Sequence, residues 1–189
     1  MGERQEPQVR RLTAGLLAGA LVAFVPLAFG APAHAAKCPP ASVGGKTIGW
    51  IEFDDVKVPL KDTDYPPGGE LDPPPSNKVA GVSEQHQGLL STIGTTVVAW
   101  HVRYGKGCKG TLNPLLRKEA GDTFDIVTRS GERQTYELTE KTKVKRGRYS
   151  PDWFRLHGAP QVTLFTCSDL RKGKYRNTRV LVAVPAQSA

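Results

Sequence analysis

Glycine and proline interrupt this chain so regularly after residue 37 that short strands and turns fit it better than long helices, and that spacing constrains the fold most. The runs between the interruptions are short and rich in Val, Ile, Thr and aromatic side chains: 48–60, broken by a turn or bulge at Asp54-Asp55, then 95–102, 123–128, 134–139, 162–167 and 179–184. Ser130-Gly131 reads as a hairpin turn. Pro66-Pro67-Gly68-Gly69 and Asp72-Pro73-Pro74-Pro75 exclude helix and central strand, so 61–77 reads as a long surface loop. Short helical turns are expected at 113–118, after Ser150, and in the ambiguous stretch around 83–87. The sum predicts an all-β chain, a closed β-barrel of seven to eight strands with two or three short helices.

The N-terminal part has a different character. Arg10-Arg11 precede an apolar run from Leu12 to about Phe29, and Ala33-His34-Ala35 offers a small-x-small cleavage site. Residues 1–36 therefore read as a signal peptide or an N-terminal membrane anchor, 37–46 as a linker, and 47–189 as the folded domain. Arg4, Arg10 and Arg11 against Glu3 and Glu6 leave the leader at +1, so +7 of the formal +8 belongs to the rest. A basic surface suits an anionic wall or membrane as well as nucleic acid. No arginine-rich helix, stacking-aromatic motif or zinc knuckle supports nucleic acid, which argues against that partner. The basic run 141–148 reads as a solvated edge strand or loop, with contact to an anionic wall polymer as its functional alternative.

Two strands carry side chains suited to thiol chemistry. Val162-Thr163-Leu164-Phe165-Thr166-Cys167 ends in a cysteine, followed by the polar stretch 168–174, read as a turn, and by a returning strand that starts at Arg179, with Arg176 three residues earlier. His101 lies near the end of 95–102, just before Tyr104-Gly105-Lys106-Gly107. A thiolate is the nucleophilic form of cysteine, nearby positive charge favours it, and a strand end is a stiff mount. Singly, each residue has a plainer reading: a strand-end cysteine as a small hydrophobe, a strand histidine as structural (so His86 and His157 are read), a surface arginine as a solubilising charge. No close Cys/His pair has metal-ligand spacing, and Asp54-Asp55 is the one acidic pair that offers itself to calcium.

Thr163-Leu164-Phe165-Thr166-Cys167, with His101 upstream and Arg179 or Arg176 downstream, resembles the signature of the sortases, the cysteine transpeptidases of Gram-positive cell surfaces. The likeness spans roughly 47–185, and the short actinobacterial class E or F sortases are the most similar in character. The resemblance implies that Cys167 attacks a peptide carbonyl to form a thioacyl intermediate, and that His101 protonates the leaving amine and later takes a proton from the incoming one. An arginine, preferably Arg179 with Arg176 as the alternate, would donate to the oxyanion. Thr166 would assist through its hydroxyl or backbone. The position before the histidine is usually glycine in the family; here Trp100 would crowd the site or form a wall of it.

The implied donors are surface proteins bearing a C-terminal, Leu-Pro-x-Thr-Gly-like sorting signal. The implied acceptor is an amine on a peptidoglycan precursor or a pilin lysine, and no cofactor is implied. An exported chain with three cysteines can pair two. With Cys167 reserved as nucleophile, the resemblance implies a Cys38–Cys108 disulfide. Two rivals stay open: an exported thiol peptidase that hydrolyses, and a non-catalytic cell-wall-binding module on the same scaffold.

Overall fold

The computed structural model describes residues 38–43, 45–65 and 72–187. The leader expected over 1–36 and the Pro66–Gly69 run lie outside the described residues. Eight strands are formed among those described: β1 Thr47–Phe53, β2 Val56–Thr63, β3 Ala80–Ser83, β4 Thr95–Trp100, β5 Thr123–Thr128, β6 Arg133–Lys145, β7 Gln161–Arg171 and β8 Lys174–Pro185. Two 3-10 turns, Asn113–Arg117 and Pro151–Phe154, are the helical content. Both carry a proline in their first two positions, Pro114 and Pro151, where its fixed φ fits. No helix among the described residues is long and apolar enough to cross a membrane.

The strands close into a barrel in the order β1-β2-β3-β4-β7-β8-β6-β5. Two neighbouring pairs, β2–β3 and β4–β7, run parallel, and the others run antiparallel. Strand alternation sorts side chains onto the two faces. Val98 and Trp100 of β4, Val162 and Leu164 of β7, and Leu181 and Ala183 of β8 point into the barrel with Ile51, Leu60, Ile126 and Leu138. Val97, Ala99, Phe165, Val180 and Val182 form a second apolar layer outside, covered by Tyr65, Trp153, Tyr149 and Phe154. The Phe154 ring stacks on Phe165 with centroids 5.1 Å apart. β4, residues 161–166 of β7 and residues 180–183 of β8 are thus buried on both faces.

Three sequence-based expectations change. The polar stretch after Cys167 is not a turn: β7 and β8 stay paired out to Arg171↔Lys174, and the reversal is only Lys172-Gly173, both at positive φ. Two such residues suit the tight turn that matches hairpin twist, and alternating polar side chains suit an exposed hairpin arm. Residues 83–87 form no helix. Ser83 Oγ lies 2.7 Å from His86 Nδ1 and accepts from the Gln85 N–H, local bonds that favour a turn over a helix start. Lys61, placed in the loop from sequence, is a buried residue of β2 whose Nζ donates to the carbonyls of Ser42 (3.2 Å) and Gly45 (2.7 Å). It fastens the segment before β1 against the barrel wall.

Candidate active site

The parallel pairing of β4 with β7 runs from Thr95↔Gln161 to Trp100↔Thr166. The next residue along each chain is His101 just past β4 and Cys167 within β7, so the backbones that carry imidazole and thiol leave the ladder at the same end. Adjacent strands lie about 4.8 Å apart, which is within reach for side chains. Thr166 is buried, and its hydroxyl donates to the Trp100 carbonyl at 2.7 Å. That bond ties together the two chains immediately before His101 and Cys167, and it commits the hydroxyl that was expected to assist substrate. Trp100 is also buried, its ring among the barrel's interior side chains.

His101 is held from several sides. Trp100 Nε1 donates to Asn113 Oδ1 (3.2 Å) and Asn113 Nδ2 donates to the Val102 carbonyl (2.8 Å), so one amide clamps both neighbours of the histidine. The Pro73 carbonyl acts on the His101 imidazole electrostatically, and the ring lies 4.9 Å from that of Tyr104. Beyond it the chain doubles back: Arg103 bridges Lys109, the Tyr104 N–H donates to the Cys108 carbonyl, and Cys108 is disulfide-bonded to Cys38. The Gly110 N–H donates to the Val102 carbonyl at 2.9 Å, and a Cβ at Gly110 would overlap the His101 carbonyl oxygen. Gly110→Ala should therefore displace the histidine backbone. The expected result is a fall in histidine-dependent activity of about tenfold or more with Cys167 still alkylated by iodoacetamide; unchanged turnover would show that the strand end yields without cost.

Burial holds His101 below the usual histidine range, against a smaller upward pull from Asp72 and the Pro73 carbonyl, and burial does the same to His86. Both imidazoles are thus neutral near pH 7. The unfolded chain, with histidines near 6.5, takes up protons first as pH falls. This part of the stability is present above about pH 6.5 and is lost below it, until the lowered folded values are reached. The urea midpoint should fall between pH 7.5 and 5.5, and the His86→Gln/His101→Gln double variant should flatten that slope.

Cys167 is half-buried, stands outside the disulfide, and lines two cavities. One is narrow, about 30 Å³, and is walled by Pro73, Trp100, Tyr149, Phe165 and Arg146. The other, about 310 Å³, has Arg103, Lys109, Ser168, Tyr175 and Arg179 on its lining. Arg179 pairs with Thr166 on the neighbouring strand and lines the larger cavity together with Cys167. Arg176 is exposed and lines a separate basic hollow with Lys145, Arg171 and Asn177. Arg146 was hidden from sequence reasoning inside the run 141–148, where nothing distinguishes one cation from the next. Its place is set by a β6–β8 pairing that reaches Lys145↔Asn177, and by its N–H bond to the Arg176 carbonyl. No group of three or more potential metal ligands occurs among the described residues.

No family model matches the chain, and no curated protein matches it. Solved structures do. A pilus-related sortase C of Group B Streptococcus superposes with a TM-score of 0.58 at 19% identity, covering 75% of this chain and 68% of that one. A lid mutant of sortase A from Corynebacterium diphtheriae gives 0.59 at 16% identity, over 79% and 75%. Sortase C from Clostridium perfringens SM101 gives 0.56 at 16%, over 77% and 72%. At these identities the likeness is one of fold: the eight-stranded barrel of this chain is the sortase barrel.

Proposed function

We propose that this chain is a sortase-type cysteine transpeptidase acting outside the cytoplasm, with the segment 1–36 as export signal or anchor, 37–46 as linker and 47–189 as the catalytic domain. The observation that supports the reading is the β4/β7 ladder, whose last pair, Trp100↔Thr166, stands one residue before His101 and Cys167 and is tied by the Thr166–Trp100 bond. In this reading Cys167 passes its thiol proton to His101 as its sulfur attacks the carbonyl of a Leu-Pro-x-Thr-Gly-like sorting signal on a surface protein. The C–N bond breaks, and the departing amine takes its proton from His101. An incoming amine then attacks the thioester, the C–S bond breaks, an amide forms, and the amine's proton passes to His101 as sulfur leaves as thiolate. Arg179, on a cavity that Cys167 also lines, is preferred to Arg176 as donor to the oxyanion. Trp100 and Thr166 line the narrow cavity where the acyl donor would lie. The donors are surface proteins, the acceptor a peptidoglycan-precursor amine or pilin lysine, and the enzyme a short sortase of class E or F from an actinobacterial cell.

Transpeptidation of a sorting-peptide library in the presence of an amine, followed by mass spectrometry with Cys167→Ala as control, tests this. Amide product together with a Cys167 thioacyl adduct is the expected result. Turnover insensitive to amine would identify a hydrolase, and the absence of any adduct would identify a non-catalytic module.

A further inference from the structure

We propose that the acceptor amine carries a negative charge of its own, a carboxylate or a phosphate close to the reacting nitrogen, and that the 310 Å³ cavity beside Cys167 is built to receive it. This rests on the transfer reading above and names the acceptor's chemical class.

Three cations, Arg103, Lys109 and Arg179, face this cavity. None of them has an ion pair among the described residues, whereas elsewhere on the barrel Lys57 and Arg133 pair with Glu52, Lys118 with Asp54, and Lys141 with Glu119. Arg103 and Lys109 are moreover partners in one β-bridge, the position at which like charges directly opposite repel most. The disulfide at Cys108 fixes that bridge, so the two cations cannot drift apart at no cost. The carboxylate on the lining is already engaged: Asp169 accepts from Arg171 Nε (3.0 Å) and from Asn177 Nδ2 (3.1 Å). Ser168, also on the lining, has a buried hydroxyl without a hydrogen-bond partner among the described residues. Three unneutralised cations and an idle hydroxyl around one space favour an anion there.

The occupant is assigned to the acceptor on charge grounds. The scissile carbonyl of the donor lies within a polypeptide and brings no charge to the bond, and the narrow cavity that Cys167 also lines holds one cation, Arg146, against three on the larger one. A simple alkylamine enters water-exposed sites as a cation, and this cavity would repel it. An amine bearing a carboxylate or phosphate enters with its charge balanced or reversed. The same positive field then favours the free base, which is the form that attacks a thioester.

The test uses the full chain, with a sorting peptide forming the Cys167 acyl-enzyme, and measures how that adduct partitions between aminolysis and hydrolysis. Two matched pairs are compared at equal free-base concentration: D-alanine against D-alaninamide, and phosphoethanolamine against ethanolamine. The charged member of at least one pair should be preferred by about five- to tenfold at low salt, the preference shrinking at 0.5 M salt. The pair that shows it identifies carboxylate or phosphate. Arg103→Gln/Lys109→Gln, whose fold is checked by thermal unfolding, should bring that ratio close to one. Equal use of charged and neutral acceptors, or a preference the double variant retains, overturns the inference and leaves the transfer reading standing. Absence of an acyl adduct overturns the transfer reading, and this inference with it.

Discussion

His101→Gln is expected to lower transpeptidation by about 10²- to 10⁴-fold, the range for removing a positioned general acid–base group, while leaving the barrel intact. Glutamine is close to histidine in size and keeps an N–H donor at its end, so the strand end should keep its packing. What it cannot do is give up and recover a proton. The variant should therefore keep a Cys167 that iodoacetamide alkylates, show an unchanged circular dichroism spectrum, and fail in both acylation and aminolysis when each is followed in a single turnover. The pH profile sharpens the reading. Burial lowers the pKa of His101, so the acid limb of the wild-type aminolysis rate should fall below pH 6.5, and that limb should vanish in the variant. A variant within about tenfold of wild type would remove His101 from the chemistry and leave it as a strand-end packing residue.

The barrel could be anticipated because its punctuation is local. Asp54 at positive φ and Ser130-Gly131 reverse the chain where the composition says they should, and short β-branched runs have few other uses. The spacing of His101 and Cys167 was legible for a related reason, since both sit at the end of a run whose alternation can be counted. The parallel β4–β7 pairing, which brings the ends of these two runs together, could not be read. Parallel partners are distant in sequence, and no turn residue announces them. Nor could the burial of Lys61 be foreseen, because its acceptors are backbone carbonyls of Ser42 and Gly45, and backbone groups leave no mark in a sequence. The hairpin arm 168–171 was misjudged because polar residues that alternate on an exposed ladder look like a loop until the partner strand is seen. Arg146 failed for want of contrast: a cation that faces a cavity and one that faces water have the same letter.

Removing the Cys38–Cys108 bridge in a Cys38→Ser/Cys108→Ser variant should cost about 4 kcal/mol of stability, the chain-entropy value for closing a loop of this size, and the bridge spans 70 residues. For a domain of this length that is a drop in Tm of roughly 10 °C or more. The link does two things at once. It restricts the unfolded chain across β1 to β4, and it fixes the turn that carries Cys108, whose carbonyl accepts the Tyr104 N–H and whose neighbour Lys109 gives its carbonyl to Asn77 Nδ2 at 2.8 Å. Other bonds hold the same segment. Ser76 Oγ is placed to donate to the carbonyls of Pro39 and Pro40, and Lys61 grips Ser42 and Gly45. These bonds act only in the folded state and cannot replace a restriction on the unfolded one. The two contributions are therefore separable. Denaturant unfolding should show the large loss in the cysteine variant and a smaller one, about 1 kcal/mol, in Ser76→Ala. Below the transition, the cysteine variant should still be acylated at Cys167 but show a loosened His101, visible as a histidine pKa moving back toward 6.5 as solvent reaches the ring. A stability loss below about 1 kcal/mol would mean that the hydrogen bonds of the 38–45 segment, and not the covalent link, hold the histidine end of the cleft.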